Sequence, residues 1–180
     1  MKYSRLIKTS LFALGVTTTS VMAATQGSLG TTSEGDLLIS LSVGDLIQIN
    51  NLNDIALGTF NGGTADLNGS DSFCIYRNGG TGYNVTMSGS GTGGAFELAG
   101  GGNTLNYSVS FENLDAGSAA VAMTAGSTLN GVTGANNTDN TCGSAAADNA
   151  QVNVNVANAD LAAVPPGSYT GTLTILVAPE

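Results

Sequence analysis

Apolar and polar residues alternate along most of the chain. In Leu37–Ile49 the odd positions Leu37, Ile39, Leu41, Val43, Ile47 and Ile49 are apolar, interrupted by Asp45. Phe73–Tyr76, Tyr83–Met87, Leu105–Phe111 and Gln151–Val156 behave alike, and Tyr169–Val177 carries Leu173, Ile175 and Val177 on one face. A period of two, rich in β-branched and aromatic residues, predicts half-buried strands. Glycine clusters at Gly62-Gly63, Gly79-Gly80, Gly89–Gly94 and Gly100–Gly102 punctuate these segments. Together they predict an all-β, antiparallel sandwich with one wet face per sheet. Ala116–Ala125 and Leu129–Ala147, rich in Gly, Thr, Asn and Ala, read as loops, the second tied down by Cys142.

The N-terminus departs from this pattern. Lys2, Arg5 and Lys8 precede a short apolar run, Leu11–Val16, and the small residues around Val21-Met22-Ala23. That is the layout of a secretory signal peptide over residues 1–23, and the run is too short for a membrane span. The expected product is an exported single domain over residues 24–180, without a transmembrane segment. In an oxidising compartment the cysteine pair Cys74 and Cys142 suggests one structural disulfide, the alternative being two buried free thiols.

Charge removes whole classes of function. Of 4 basic residues, only Arg77 lies beyond the leader, against 13 acids. Such a body cannot neutralise a phosphate backbone, so no nucleic-acid partner is expected. With no His in the chain and no Lys after the leader, it has no Ser–His–Asp or Cys–His pair, no imidazole metal site, no Schiff-base Lys and no Lys–Asn isopeptide staple. Paired carboxylates for glycoside hydrolysis sit in no distinctive motif, and there is no Trp platform. The chain therefore reads as a non-enzyme without cofactor.

Two motifs look chemical at first sight. Gly89–Gly94 matches GxGxxG, but the glycine-bounded stretch after it is too short for the helix that a dinucleotide site needs, so a hairpin loop is expected. Asp66–Asp71 resembles part of a calcium loop, yet Arg77 stands where a bidentate Glu is required, and a plain turn is the simpler reading.

The C-terminal run Pro166-Gly167-Ser168-Tyr169-Thr170-Gly171-Thr172-Leu173-Thr174-Ile175 resembles the Gly-x-Tyr-x-x-x-Leu-x-Leu/Val ending of spore coat protein U-like, archaic chaperone–usher pilins. The leader followed by a Gly/Thr-rich arm and alternating aliphatics is similar too. The resemblance implies an immunoglobulin-like sandwich lacking its final strand. It implies an N-terminal donor-strand arm, about residues 24–43, with Leu37, Ile39, Leu41 and Val43 filling pockets in another subunit. Tyr169, Leu173, Ile175 and Val177 would lie beside the acceptor groove, and a chaperone would grip the chain near Glu180. The implied partners are a periplasmic chaperone, an outer-membrane usher and copies of the chain or related subunits. The implied product is a surface pilus reached through the periplasm. A second reading keeps the sandwich self-complete, as a secreted or periplasmic binding module for carbohydrate, calcium or protein.

Overall fold

The computed structural model describes residues 23–143 and 148–180 and divides at Val43 into two units. The expected signal peptide lies almost entirely outside the described residues. In the first unit, Thr25 and Asp36 form an antiparallel bridge, with N–H to carbonyl distances of 2.9 and 3.1 Å. Among the described residues the backbone from Leu37 to Val43 pairs with no other segment, and Leu37, Leu38, Ile39, Leu41 and Val43 are all exposed.

The second unit, Gly44–Glu180, is the predicted all-β antiparallel sandwich. Its strands are β1 (Ile47–Asn50), β2 (Leu67–Arg77), β3 (Tyr83–Gly89), β4 (Glu97–Gly100), β5 (Asn103–Asn106), β6 (Ser108–Asn113), β7 (Val121–Ala122), β8 (Thr128–Val132), β9 (Ala150–Val156) and β10 (Leu173–Pro179). One sheet has the order β1-β2-β9-β6-β7, the other β10-β3-β8, and β4-β5 form a separate hairpin. One short helix, α1 (Asn158–Ala163), follows β9.

The core sits between the two sheets. It is built from Phe73 and Ile75 on β2, Tyr83, Val85 and Met87 on β3, Val109 and Phe111 on β6, and Val152, Val154 and Val156 on β9. Register explains why: Val109 lies opposite Val154 and Phe111 opposite Val152, so alternate positions meet across the ladder and stack inward. The outward positions of β9 are Gln151, Asn153 and Asn155, and those of β6 are Ser108, Ser110 and Glu112. Asn149 is buried, but its amide closes three bonds, to Ile75 N, Ile75 O and Gly134 O, at 2.8–2.9 Å. A satisfied buried amide of this kind fixes the position of the 134–136 loop on β2.

Cys74 and Cys142 form the disulfide, with Cα atoms 6.2 Å apart. Cys74 points to the outer side of β2, where the 136–143 loop covers it.

Several segments differ from the sequence expectation. Leu37–Ile49 is not one strand, and only Ile47–Asn50 enters the sheet. Asp66–Asp71 is not a turn: β2 begins at Leu67 and runs through it, pairing with β9 from Leu67 opposite Val156. Leu105–Phe111 breaks at Tyr107 into β5 and β6. Parts of both expected loops are strands, β7 in one and β8 in the other. Gly89–Gly94 ends β3 and leads through a short 3-10 turn at Thr92–Gly94 into β4, which pairs with β5 rather than back onto β3.

Candidate functional site: an apolar cleft between two open edges

Two edge strands leave the sandwich unclosed along one side. β1 is the outermost strand of the larger sheet and β10 that of the smaller one. Beyond β1 the chain turns at Asn51, whose φ is +66°, and crosses over β2. Asp71 holds that crossing: its carboxylate accepts from Asn53 N at 2.8 Å and from the Asn53 amide at 3.2 Å. Ile55 and Leu57 then fold over Gly69 of β2. A Cβ at Gly69 would stand 2.5 Å from Ile55 Cγ2 and 2.9 Å from Leu57 Cδ2, so this strand position must be glycine for the crossing to lie flat.

Across from this segment runs the approach to β10. Residues 164–171 follow α1, and Ala99 and Thr170 bind them to β4 by a reciprocal pair of main-chain bonds at 2.8 and 3.0 Å. Gly100 and Gly171 permit the close crossing, since a Cβ on either would strike main-chain oxygen, of Ser168 and Glu97 respectively. The Tyr169 hydroxyl donates to Pro165 O at 2.9 Å and stiffens the turn.

Between these rims lies an open cleft of about 960 Å³. Leu67, Leu98, Leu105 and Val156 form its floor, Ile55, Leu57 and Phe60 one wall, and Leu161, Val164 and Tyr169 the other. Leu105 and Val156 belong to the buried core, so the cleft is a continuation of the core to the surface. The walls differ in one respect. Residues 164–171 are bolted to β4, whereas among the described residues no main-chain hydrogen bond joins 54–62 to another backbone segment. Up to Gly58, where a φ of +81° turns the backbone, that wall offers unpaired N–H and C=O groups beside an apolar floor, which is the arrangement that accepts an added strand.

The other end of the same side is shut. β1 and β10 approach within 8 Å. A strand between two others keeps them about 9.5 Å apart, so none fits there. Arg77 spans this end. Its guanidinium donates to Asp45 Oδ1 at 3.1 Å and Oδ2 at 2.6 Å, to Gly82 O, and to the main-chain oxygen of Glu180 at 2.8 Å. Asn78 reinforces the junction by binding Leu46 N at 2.7 Å, Leu46 O at 3.1 Å and Gly44 O at 2.9 Å. The side-chain bonds from Arg77 hold the Asp45 carboxyl below the usual carboxylate range, and Asp45 in turn raises the guanidinium further. Desolvation by burial pushes the Tyr83 phenol up, and its hydroxyl has no hydrogen-bond partner among the described residues.

The sequence-predicted residues fall on both halves. Tyr169 lines the open cleft, while Leu173, Ile175 and Val177 face inward along β10 on the shut half, half-buried. Glu180 is held by Arg77. Leu37, Ile39, Leu41 and Val43 lie in the first unit, exposed by 71, 84, 88 and 75 %. Sequence reasoning did not identify Ile55, Leu57 and Phe60, although the first two alternate immediately after an Asn/Asp cluster. It also overlooked Arg77 as a structural residue, although a lone base among 13 acids was the available signal. Among the described residues no three or more His, Cys, Asp or Glu side chains gather as a metal site, and no helix is long and apolar enough to cross a membrane.

No protein-family model matches this chain, and no curated protein does. Among solved structures it is similar to a chain of the chaperone–tip adhesin complex described as vital for synergistic activation of CFA/I fimbriae biogenesis. The similarity covers 74 % of this chain and 41 % of that one, with 20 % identity and a TM-score of 0.51. The chain thus spans less than half the length of that neighbour, and what they share is the fold.

Proposed function

We propose that the chain is a structural, non-catalytic subunit of an exported surface fibre of the fimbrial kind, assembled when the N-terminal arm of one copy enters the cleft of the next. The observation that carries this reading is the cleft itself, an apolar floor continuous with the core beside an unpaired main-chain edge. A small apolar ligand would use the floor and leave that edge idle, whereas a strand uses both.

The arm has the matching chemistry. Leu37, Ile39, Leu41 and Val43 are exposed at alternate positions of the segment, with Leu38, Ser40 and Ser42 between them. As an extended strand residues 37–43 span about 23 Å. The neighbour from a fimbrial chaperone–adhesin complex agrees with a role in fimbriae. Under this reading the N-terminal leader directs export, a periplasmic chaperone shields the cleft in transit, and an outer-membrane usher exchanges it for the next arm.

The test is deletion of residues 24–43 from the chain expressed with its export leader. Light scattering should find polymers or chaperone-bound species for the intact chain and none self-assembled after deletion. A sharp, stable monomer from both chains would overturn the proposal and favour a self-complete binding module.

A further inference from the structure

Resting on that reading, we infer that Arg77 is a positioning residue that fixes the register of the incoming strand by holding one end of the cleft shut. The two edges that flank the cleft diverge from a common point. Asp45 stands just before β1 and Glu180 just after β10, and the one guanidinium binds both. From there β1 continues into 51–60 and β10 leads back through 172 to 164, and the gap opens only along those stretches. A strand entering the open half therefore meets a wall where β1 and β10 come within 8 Å.

Such a wall has a job in strand addition. Sliding a strand by two residues keeps the same side chains facing inward, so alternation alone leaves Leu37, Ile39, Leu41 and Val43 several equivalent placements. A fixed stop at one end removes that degeneracy. The surroundings of Arg77 are built to hold it: the residue is nearly buried, at 7 % exposure, and its three guanidinium nitrogens bind Asp45, Gly82 and Glu180. Gly79 and Gly82 make room for its partners, since a Cβ would lie 2.7 Å from Asp45 Oδ1 at the first and 3.3 Å from Glu180 Oε2 at the second. Arg77 is also the sole base after the first ten residues, so nothing nearby can substitute for it.

The experiment uses the full chain with Leu37, Ile39, Leu41 and Val43 replaced by Ser, so that its own arm is silent, and a synthetic peptide of residues 34–44. Amide hydrogen exchange and a photo-crosslinking residue at peptide position 38 report where the peptide lies. With Arg77 present, the peptide should protect 54–60, leave Leu173–Pro179 unchanged and crosslink to one short stretch. In Arg77→Met, protection should extend into Leu173–Pro179 and the crosslinks should scatter over sites two residues apart. Asp45→Asn, which removes only the ion pair, should shift the pattern the same way and carries the test where Arg77→Met does not fold. An unchanged footprint in both variants would overturn the register role while leaving strand addition intact. Absence of peptide binding to any chain would overturn strand addition itself, and the inference with it.

Discussion

Leu41→Ala in the arm should leave the fold untouched and cripple the contact between copies. Leu41 is 88 % exposed, so its removal changes nothing that the isolated chain buries. In the cleft the same side chain would be covered. Alanine lacks three of its carbons, and at about 0.8 kcal/mol per buried CH₂, scaled by that exposure, the loss is about 2 kcal/mol. That corresponds to about 30-fold in Kd. Leu38 is the internal control, because it is 71 % exposed and points to the opposite face of the extended arm. Leu38→Ala should change affinity by no more than about twofold, the range of ordinary surface substitutions. Fluorescence anisotropy of a labelled peptide of residues 34–44, titrated with the arm-silenced chain, measures all three affinities. Thermal unfolding of the full-length variants checks that neither moves the midpoint. Equal losses for Leu38→Ala and Leu41→Ala would refute the alternating-face argument, as would undiminished binding by both.

Three further outcomes follow from the geometry. Replacing Cys74 and Cys142 together by Ser releases a 68-residue separation and should lower stability by about 4 kcal/mol, read from urea unfolding under oxidising conditions; a loss under about 1 kcal/mol would contradict the loop-closure account. Gly69→Val should displace Ile55 and Leu57 at a cost of about 1–3 kcal/mol, and weaken peptide binding by moving the wall; a neutral result would mean that the crossing over β2 is not close. Asp45, Asp66 and Asp139 are held below the usual range, first by hydrogen bonds from Arg77, Asn158 N and the Thr141 hydroxyl respectively. Their folded pKa values are depressed, so their contribution is complete above about pH 4 and is lost as pH falls through the folded values. The thermal midpoint should therefore be flat from pH 8 to 5 and fall below about pH 4, less steeply in Asp45→Asn; a fall that begins near pH 6 would contradict this.

The fold class was legible because the core strands obey a simple rule. Val152, Val154 and Val156 alternate with Gln151, Asn153 and Asn155 on a central strand, and period two there has one interpretation. The same rule misled at Leu37–Ile49, because alternation shows that a strand can form and not which chain supplies its neighbours. β8 escaped notice because Gly131, with φ of +71°, and the register shift between Tyr83 and Val85 break its alternation. The start of β2 looked like a turn because its inward positions are Leu67, Gly69 and Asp71. Two of those three are turn formers by composition, placed there to seat Ile55, Leu57 and Asn53 from elsewhere in the chain. The cleft could not be read locally at all. Its floor draws on Leu67, Leu98, Leu105 and Val156, residues spread over half of the chain, and it exists only where two edges fail to meet.

The disulfide acquires another meaning when the chain is pulled rather than heated. Tension applied between Gly44 and Glu180 enters β2 and leaves through β9 and β10, and at Cys74 it short-circuits through sulfur to Cys142. The residues between the cysteines, which include β3, β4, β5, β6, β7 and β8, are then slack and cannot be drawn out. A chain stretched to the limit would yield only the two flanking segments and stop at the covalent bond. Much of the sandwich would stay outside the path of the force, ready to recapture its outer strands when the pull relaxes.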